Sequence, residues 1–215
     1  MAERESEVAE TPASPAGWQA QKSASTRNLI IEAAIECFIK LGYARTTTTA
    51  IAERAGLSRG AMLHHFPSKI DIVRAAVEHL HAKRLRAFRK SAQRAAPGGD
   101  RVAQSVEAYW AHAKHPMFVA FFELSVAART DPELAAILRP AQEAFEREWH
   151  RTALEVFPDW PKGEEFDLAL DLSHYLLEGM AISFLVHKET ERDKRVVQYL
   201  GEKLKELKDK GERSR

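Results

Sequence analysis

The twenty residues from 48 to 67 constrain the fold most, because they carry the pattern of two short helices joined by a tight turn. Ile51, Ala52 and Ala55 have the spacing of one buried helix face. Gly56 follows where helices commonly end in the left-handed conformation, which glycine adopts without steric cost. Ser58 then offers a side-chain oxygen that can cap a second helix. The pattern is that of a helix-turn-helix, although a generic helical hairpin also uses a glycine turn.

The second of these helices suits the major groove of DNA. We expect Met62 to face the core, which leaves small residues and Arg59 at the exposed N-terminal end. An arginine placed there can donate two hydrogen bonds to O6 and N7 of guanine. Lys69 begins the next helix, where the positive helix terminus would reinforce a contact to a phosphate. The predicted DNA contacts are Thr47, Thr48, Ser58, Arg59, Gly60, Ala61, His64 and Lys69.

A longer run of residues, from 26 to 80, carries a resemblance to a known family. The matched positions are Thr26, Arg27, Ile30, Ala33, Phe38, Gly42, Tyr43, Thr46, Thr47, Ile51, Ala52, the run Ala55 to Ser58, and the run His65 to Lys69. This run resembles the DNA-binding domain of the TetR family of bacterial transcriptional regulators. The resemblance implies a regulator whose helical C-terminal domain holds an effector pocket. Two positions depart from the family pattern. Thr48 stands where an apolar residue is usual, and Leu63 replaces a tyrosine that commonly anchors a DNA phosphate, so that contact is not carried over.

The charges of the chain are unevenly distributed around a net charge of +1. Residues 25–94 carry 13 Lys or Arg against 5 Asp or Glu, whereas residues 95–215 carry 17 against 22. The basic segment therefore coincides with the helix-turn-helix, as phosphate binding requires. We interpret the basic run from Lys83 to Arg94 differently, as the solvated face of a long helix that leaves the duplex.

The apolar pattern divides the chain into four segments and predicts an all-α fold with no strand. Residues 1–24 are polar and rich in Glu, Ser and Pro, which is typical of disorder. A Pro-Gly-Gly sequence at 97–99 marks the main boundary. The predicted segments are a disordered tail (1–24), a helix-turn-helix DNA-binding domain (25–70), a connecting helix (71–96) and a helical effector-binding and dimerisation domain (100–215). Within the last segment we predict helices near 101–114, 116–129, 131–156, 164–188 and 191–211.

Aromatic residues on successive helices of the last segment predict an apolar ligand pocket, since such pockets combine many rings with a few polar groups. Aromatic residues at helical spacing also form ordinary cores. The predicted pocket residues are Trp110, Phe118, Phe122, Trp149, His174 and Tyr175. Because we expect no buried Arg or Lys among them, the prediction favours a flat or hydrophobic effector.

The helix expected from 166 to 187 is apolar almost all round, so that both of its faces must be covered. One face can pack on its own domain, and the other is expected to pack against a second copy of the chain, although a single deeply buried core helix is the alternative. Together with the last helix it would form a four-helix bundle in a homodimer. The predicted interface residues are Leu177, Gly179, Ala181, Phe184, Leu200 and Leu204. A two-fold dimer would bind an inverted-repeat operator, most simply as a repressor that a small effector releases.

Other classes of protein find less support in the sequence. Cys37 is the only cysteine, and its place on an apolar face predicts a buried, inert thiol. His112 and His115 share a helix face without a third ligand nearby, so we expect no metal, and the motifs of common enzymes and cofactor sites are missing. No apolar stretch approaches the length of a membrane span, and no secretory signal precedes the helices, which predicts a cytoplasmic protein. The remaining alternative is a helical small-molecule-binding protein with a degenerate DNA-binding domain, in which Leu63 would mark the lost function.

Overall fold

The computed structural model describes residues 15–93 and 100–213, and the side chains of residues 18–90 and 100–213. Over these ranges the chain is all-helical, which confirms the predicted fold class. The helices are α1 (Pro15–Leu41), α2 (Thr48–Arg54), α3 (Arg59–His65), α4 (Lys69–Gln93), α5 (Arg101–Ala113), α6 (Pro116–Ala128), α7 (Pro132–Val156), α8 (Glu164–Ser183) and α9 (Glu191–Arg213). None of these helices is long and apolar enough to cross a membrane.

The first helix begins earlier than the sequence predicts. Residues 15–24 were expected in a disordered tail, but they form the first turns of α1. Pro15 is compatible with a first helical turn, and the Ala, Gln and Lys residues that follow are good helix formers. Residues 18–24 are exposed and form no buried apolar face, which is why the hydrophobic pattern does not reveal them. Residues 1–14, and the Pro-Gly-Gly sequence at 97–99, lie outside the described ranges.

The helix ends follow local rules that the sequence makes visible. Thr47, Ser58 and Asp131 cap α2, α3 and α7, each accepting a hydrogen bond from the backbone N–H three residues later at 3.0–3.1 Å. Gly56 has a φ of +67°, so the turn between α2 and α3 uses the left-handed conformation expected for it. Later in the chain, α8 ends at Ser183, before the helix end predicted at residue 188.

The helices enclose two cores. The first contains the inner faces of α1 to α3 and the N-terminal half of α4, but α6 and the start of α7 complete it with four buried side chains. Those four are Ala120, Leu124, Leu134 and Leu138. The thiol of Cys37 also lies in this core, where burial raises its pKa, in agreement with the expected inert thiol. The C-terminal half of α4 joins α5, α7, α8 and α9 in the second core. The α6–α7 hairpin and α4 therefore contribute side chains to both cores.

Candidate DNA-binding surface and ligand cavity

The α2–α3 pair presents one exposed surface. Met62 is fully buried, whereas Arg59, Gly60, Ala61 and His64 are exposed on α3. A Cβ atom added at Gly60 would meet nothing within 4 Å, so the N-terminal part of α3 is accessible to a large partner. Thr47 and Ser58 lie beside this surface as exposed helix caps, and Thr48 is half-buried at the start of α2. These predicted contacts are therefore wholly or partly exposed on the head, by which we mean α1 to α3 with the start of α4.

Lys69 occupies a less open position than the others. Its ammonium group donates a hydrogen bond to the backbone oxygen of Tyr43 at 2.7 Å and lies 3.8 Å from the centre of the Tyr43 ring. Burial lowers the pKa of Lys69. A lysine ammonium has three protons to donate, so a phosphate contact stays a prediction, made by a side chain that is already held in place.

A second basic residue holds α3 against the first helix. Arg27 donates a hydrogen bond from Nη1 to the backbone oxygen of His65 at 2.7 Å, and its guanidinium lies 4.1 Å from the centre of the Phe66 ring. Leu63, the residue that departs from the family pattern, is half-buried and packs against the first core. In the sequence Arg27 stands out only as a position matched to the family, because its partners lie 38 residues away.

One hydrogen bond joins the head to the α6–α7 turn. The Tyr43 hydroxyl donates to Oδ2 of Asp131, the cap of α7, at 3.2 Å. Burial and the neighbouring Asp131 carboxylate raise the pKa of Tyr43 to about 12. Lys69, Tyr43 and Asp131 therefore form a continuous contact from the start of α4 to the start of α7, which no short sequence pattern could indicate.

The six predicted pocket residues do not converge on one cavity. Trp110 is buried and its indole N–H donates to Glu189 at 3.0 Å, while Phe118 packs against the second core and Phe122 is half-buried. Tyr175 is 70% exposed and does not line the cavity that Trp149 shares with Tyr109, so its role in a pocket stays a prediction. These residues share helices, but helical periodicity does not determine which of two neighbours a ring faces.

Trp149 does border an interior cavity, between α4, α5, α7, α8 and α9. The cavity has a volume of about 40 Å³, and its walls include Tyr109, Trp160 and Phe166. A smaller cavity of about 20 Å³, lined by Arg84 and His112, lies on the far side of Phe88, Tyr109 and Trp149. Trp149, His174 and Tyr175 also border a third cavity, of about 220 Å³.

Arg84 contradicts the expectation that this region holds no buried cation. Its side chain belongs to the basic run interpreted as a solvated face, yet the residue is 5% exposed. The guanidinium pairs through Nη2 with Glu178, which also accepts a hydrogen bond from the Tyr109 hydroxyl at 3.0 Å. His174 Nδ1 lies 3.0 Å from the same hydroxyl. The second core therefore contains a buried polar network that connects α4, α5 and α8.

A buried histidine, His81, and a half-buried one, His112, lie near this network. Burial, together with the charge of Arg84, lowers the pKa of His81 and of His112 to about 4. Both imidazoles are therefore neutral at pH 7, and Arg84 supplies the positive charge. Within the described ranges, no three His, Cys, Asp or Glu side chains come together as a metal site.

The predicted dimer residues mostly face their own chain. Leu177, Ala181, Leu200 and Leu204 are buried in the second core, and Phe184 packs edge-on against Trp110. The assignment of the four buried residues to a partner-facing surface is wrong, because side chains of their own chain cover them, whereas Phe184 is half-buried and its role stays a prediction. Gly179 is exposed on the opposite side. The apolar residues that share this exposed face with it are Leu168, Leu172, Tyr175 and Ile182.

Comparison with known proteins gives one consistent result. Residues 30–76 match the family described as bacterial regulatory proteins, tetR family. An HTH-type transcriptional regulator of Mycobacterium tuberculosis is 28% identical over 175 residues, which are 76% of this chain and 85% of the relative. The regulator CymR of Pseudomonas putida is 28% identical over 186 residues, 83% of this chain and 88% of CymR. TtgR of the same species is 48% identical over 61 residues, 28% of this chain and 29% of TtgR.

Solved structures agree with the described fold as a whole. A transcriptional regulator from Pseudomonas aeruginosa PAO1 superimposes with a TM-score of 0.65 at 21% identity, covering 92% of this chain and 95% of that one. Salmonella enterica GusR does so with a TM-score of 0.64 at 19% identity, covering 86% and 96%. The matched head, the regulators related over most of their length and the shared fold lead to one conclusion: the chain carries a DNA-binding domain of the TetR type at residues 30–76 and resembles helix-turn-helix transcriptional regulators over most of its length.

Proposed function

We propose that the protein is a homodimeric repressor that binds an inverted-repeat operator and is released from it by a small molecule. The observation that carries this proposal is the composition of the first core. The DNA-binding head shares that core with α6 and α7, so a rearrangement in the second half of the molecule displaces the head.

Contact with DNA is assigned to the exposed side of α3. Arg59 stands at its N-terminal end beside two small residues, Gly60 and Ala61, which allow a close approach of the helix to base edges. The excess of positive charge between residues 25 and 94 supplies the attraction to phosphates that is independent of sequence.

A second copy of the chain is the proposed partner of α8. Leu168, Leu172, Gly179 and Ile182 follow one another at intervals that place them on a single exposed face, and large exposed apolar patches commonly mark interfaces. A two-fold axis through this face would place two heads side by side, which requires an operator with two-fold symmetry.

Release by an effector requires a site whose occupation favours an arrangement that does not fit DNA. The interior cavities at Trp149 and Arg84 touch α4, the helix that starts in the head and ends in the second core. Coupling of about 1–3 kcal/mol between ligand and operator would weaken DNA binding roughly 5- to 150-fold.

The test is a gel shift of the full chain with DNA that flanks its own gene, measured at several salt concentrations beside a scrambled duplex. We expect a shift that prefers the flanking DNA, and a footprint that covers an inverted repeat. Equal affinity for both duplexes would contradict the proposal and favour the small-molecule-binding alternative, in which Leu63 marks a lost phosphate contact.

A further inference from the structure

Three buried N–H groups at the two interior cavities have no hydrogen-bond acceptor among the residues that the structure describes. They are Nη1 of Arg84 and the indole nitrogens of Trp149 and Trp160. Trp149 borders both cavities, Trp160 the larger one and Arg84 the smaller one. A buried donor without an acceptor destabilises a fold, so three of them at two adjoining cavities require an explanation.

The unpaired groups at the two cavities are all hydrogen-bond donors. Within the described part of the chain, no residue that lines these two cavities has a buried side-chain acceptor without a partner. A ligand that brings further donors, such as an amine, would add to the imbalance. A carboxylate has only acceptor oxygens and therefore corrects it.

Arg84 is the strongest of the three donors because its charge is permanent. Glu178 pairs with Nη2, whereas Nη1 has no acceptor, and Arg84 lines the smaller cavity. The guanidinium is also held in position by the Phe145 ring, whose centre lies 4.3 Å away, and by the Phe121 ring at 5.3 Å. A donor fixed in this way is preorganised for an anionic oxygen.

The space between the donors is bounded by flat rings. Phe88 and Trp149 stack with their centres 4.3 Å apart, and the Tyr109 ring lies 5.1 Å from that of Trp149. Because the two cavities measure only about 40 and 20 Å³, a ring-sized ligand must separate Phe88 from Trp149 in order to enter. A second aromatic ring between them would replace the stacking that the separation removes.

We propose that the effector is an aromatic carboxylate, whose ring inserts between Phe88 and Trp149 and whose oxygens accept hydrogen bonds from Arg84 and the Trp149 indole. The inference rests on the proposed function, because it names the ligand of the same regulatory site. It also gives the ligand a direct effect on the head: Phe88 is part of α4, so its displacement moves the helix that begins at Lys69.

The test is isothermal titration calorimetry of the full chain with three probes that share one ring system. The probes are 2-naphthoate, 2-naphthamide and 2-naphthylmethylammonium. A hydrogen bond to a charged partner is typically worth a factor of about 10 to 100 in affinity, so the acid should bind that much more tightly than the amide. The ammonium compound should bind most weakly. Equal affinity for acid and amide, or tighter binding of the ammonium compound, would overturn the proposal.

A double variant, Arg84→Met with Glu178→Met, locates the interaction. Replacing both members of a buried ion pair by apolar residues commonly preserves a fold, whereas removing one member does not. We expect this variant to bind the acid no better than the amide, while Arg86→Met, which removes an exposed charge from the same helix, keeps the preference. An undiminished preference in the double variant would contradict the assignment to Arg84. If the melting curve of the double variant shows that it does not fold, Arg84→Lys is used instead. An unchanged affinity of Arg84→Lys for the acid would then contradict the proposal.

Failure of this inference can be separated from failure of the proposed function. The calorimetry needs no DNA, and the gel shift without ligand needs no effector. A protein that binds its operator but does not prefer the acid retains the proposed function and loses this ligand class. A protein that prefers the acid but does not bind its operator would retain the proposed ligand class and contradict the proposed repressor function.

Discussion

At the scale of the residue, Arg59 and Met62 show how one short helix serves two purposes. They lie three positions apart on α3, yet Met62 is fully buried while Arg59 is exposed. The buried residue fixes the helix on the head, and the exposed one is free to contact a base. Substitutions at Arg59 should therefore affect recognition without affecting the fold.

We expect Arg59→Ala to weaken operator binding by about 1–3 kcal/mol and to relax the preference for one base pair in each half-site. Gel shifts against operators substituted one position at a time would measure both effects. Lys40→Ala serves as the control, since Lys40 is an exposed cation on α1 whose nearest carboxylate, on Glu36, lies 3.8 Å away. Uniform weakening across all sequences would make Arg59 a phosphate contact.

His81 should make the stability of the protein depend on pH. Its pKa is about 4 in the folded chain and 6.5 ordinarily, so the unfolded chain binds a proton more readily. The stability that the neutral imidazole contributes is complete above pH 6.5 and is lost as the pH falls toward 4. By pH 4.5 the loss from this residue should be about 2–3 kcal/mol.

Urea unfolding at pH 7 and pH 4.5 would test this expectation with His81→Phe, which keeps a ring at 4.6 Å from that of Phe145. The variant should lose less stability on acidification than the original chain, although His112, whose pKa is also lowered to about 4, still contributes. An identical loss in both proteins would show that His81 is not the group that titrates.

At the scale of the element, α8 has two apolar faces, one covered by its own chain and the other exposed. Leu177 has no exposed surface and belongs to the second core, whereas Ile182 is 36% exposed on the opposite face. Both positions are occupied by large aliphatic residues, so the sequence shows that α8 is apolar without showing which face is covered by the same chain.

The two faces predict opposite outcomes for the same substitution. Ile182→Glu should yield a folded monomer, because it places a charge in the proposed interface, whereas Leu177→Glu should prevent folding by burying an unpaired carboxylate. Analytical ultracentrifugation and melting curves would distinguish the outcomes, with Ala144→Glu on exposed α7 surface as the control for added charge. A dimer that persists in Ile182→Glu would place the interface elsewhere.

At the scale of the whole molecule, the head and the second half meet at Tyr43 and Asp131. The hydrogen bond between them joins the loop after α1 to the cap of α7 across 88 positions of the chain. Asp131 also accepts from the backbone of Leu134, a capping role that asparagine can keep. This contact can therefore be altered without removing the cap.

A double-mutant cycle with Tyr43→Phe and Asp131→Asn should give a coupling energy of about 0.5–1.5 kcal/mol in urea unfolding, the usual net contribution of one hydrogen bond. Tyr43→Phe keeps the ring on which the Lys69 ammonium rests, so the cycle isolates the hydroxyl. Additive effects of the two substitutions would mean that this contact does not hold the halves together.

The parts of this molecule that the sequence predicts are those that depend on near neighbours. Gly56, Ser58 and Met62 follow rules of capping and periodicity within a few residues, and the five later helices lie close to their predicted ranges. Arg84 was misassigned because its partner Glu178 is 94 positions away, and a basic run by itself resembles a solvated face. Leu177 was misassigned because periodicity shows that a face is buried but not by which chain.

The four side chains that α6 and α7 contribute to the first core bear on how the chain folds. A fragment ending after α4 would lack Ala120, Leu124, Leu134 and Leu138 and would expose the apolar surface that they cover. We therefore expect that the head does not fold on its own, although it is continuous in sequence. Denaturation of the chain should consequently proceed as one cooperative transition, in which backbone amides of α1 and α7 lose their protection from hydrogen exchange together.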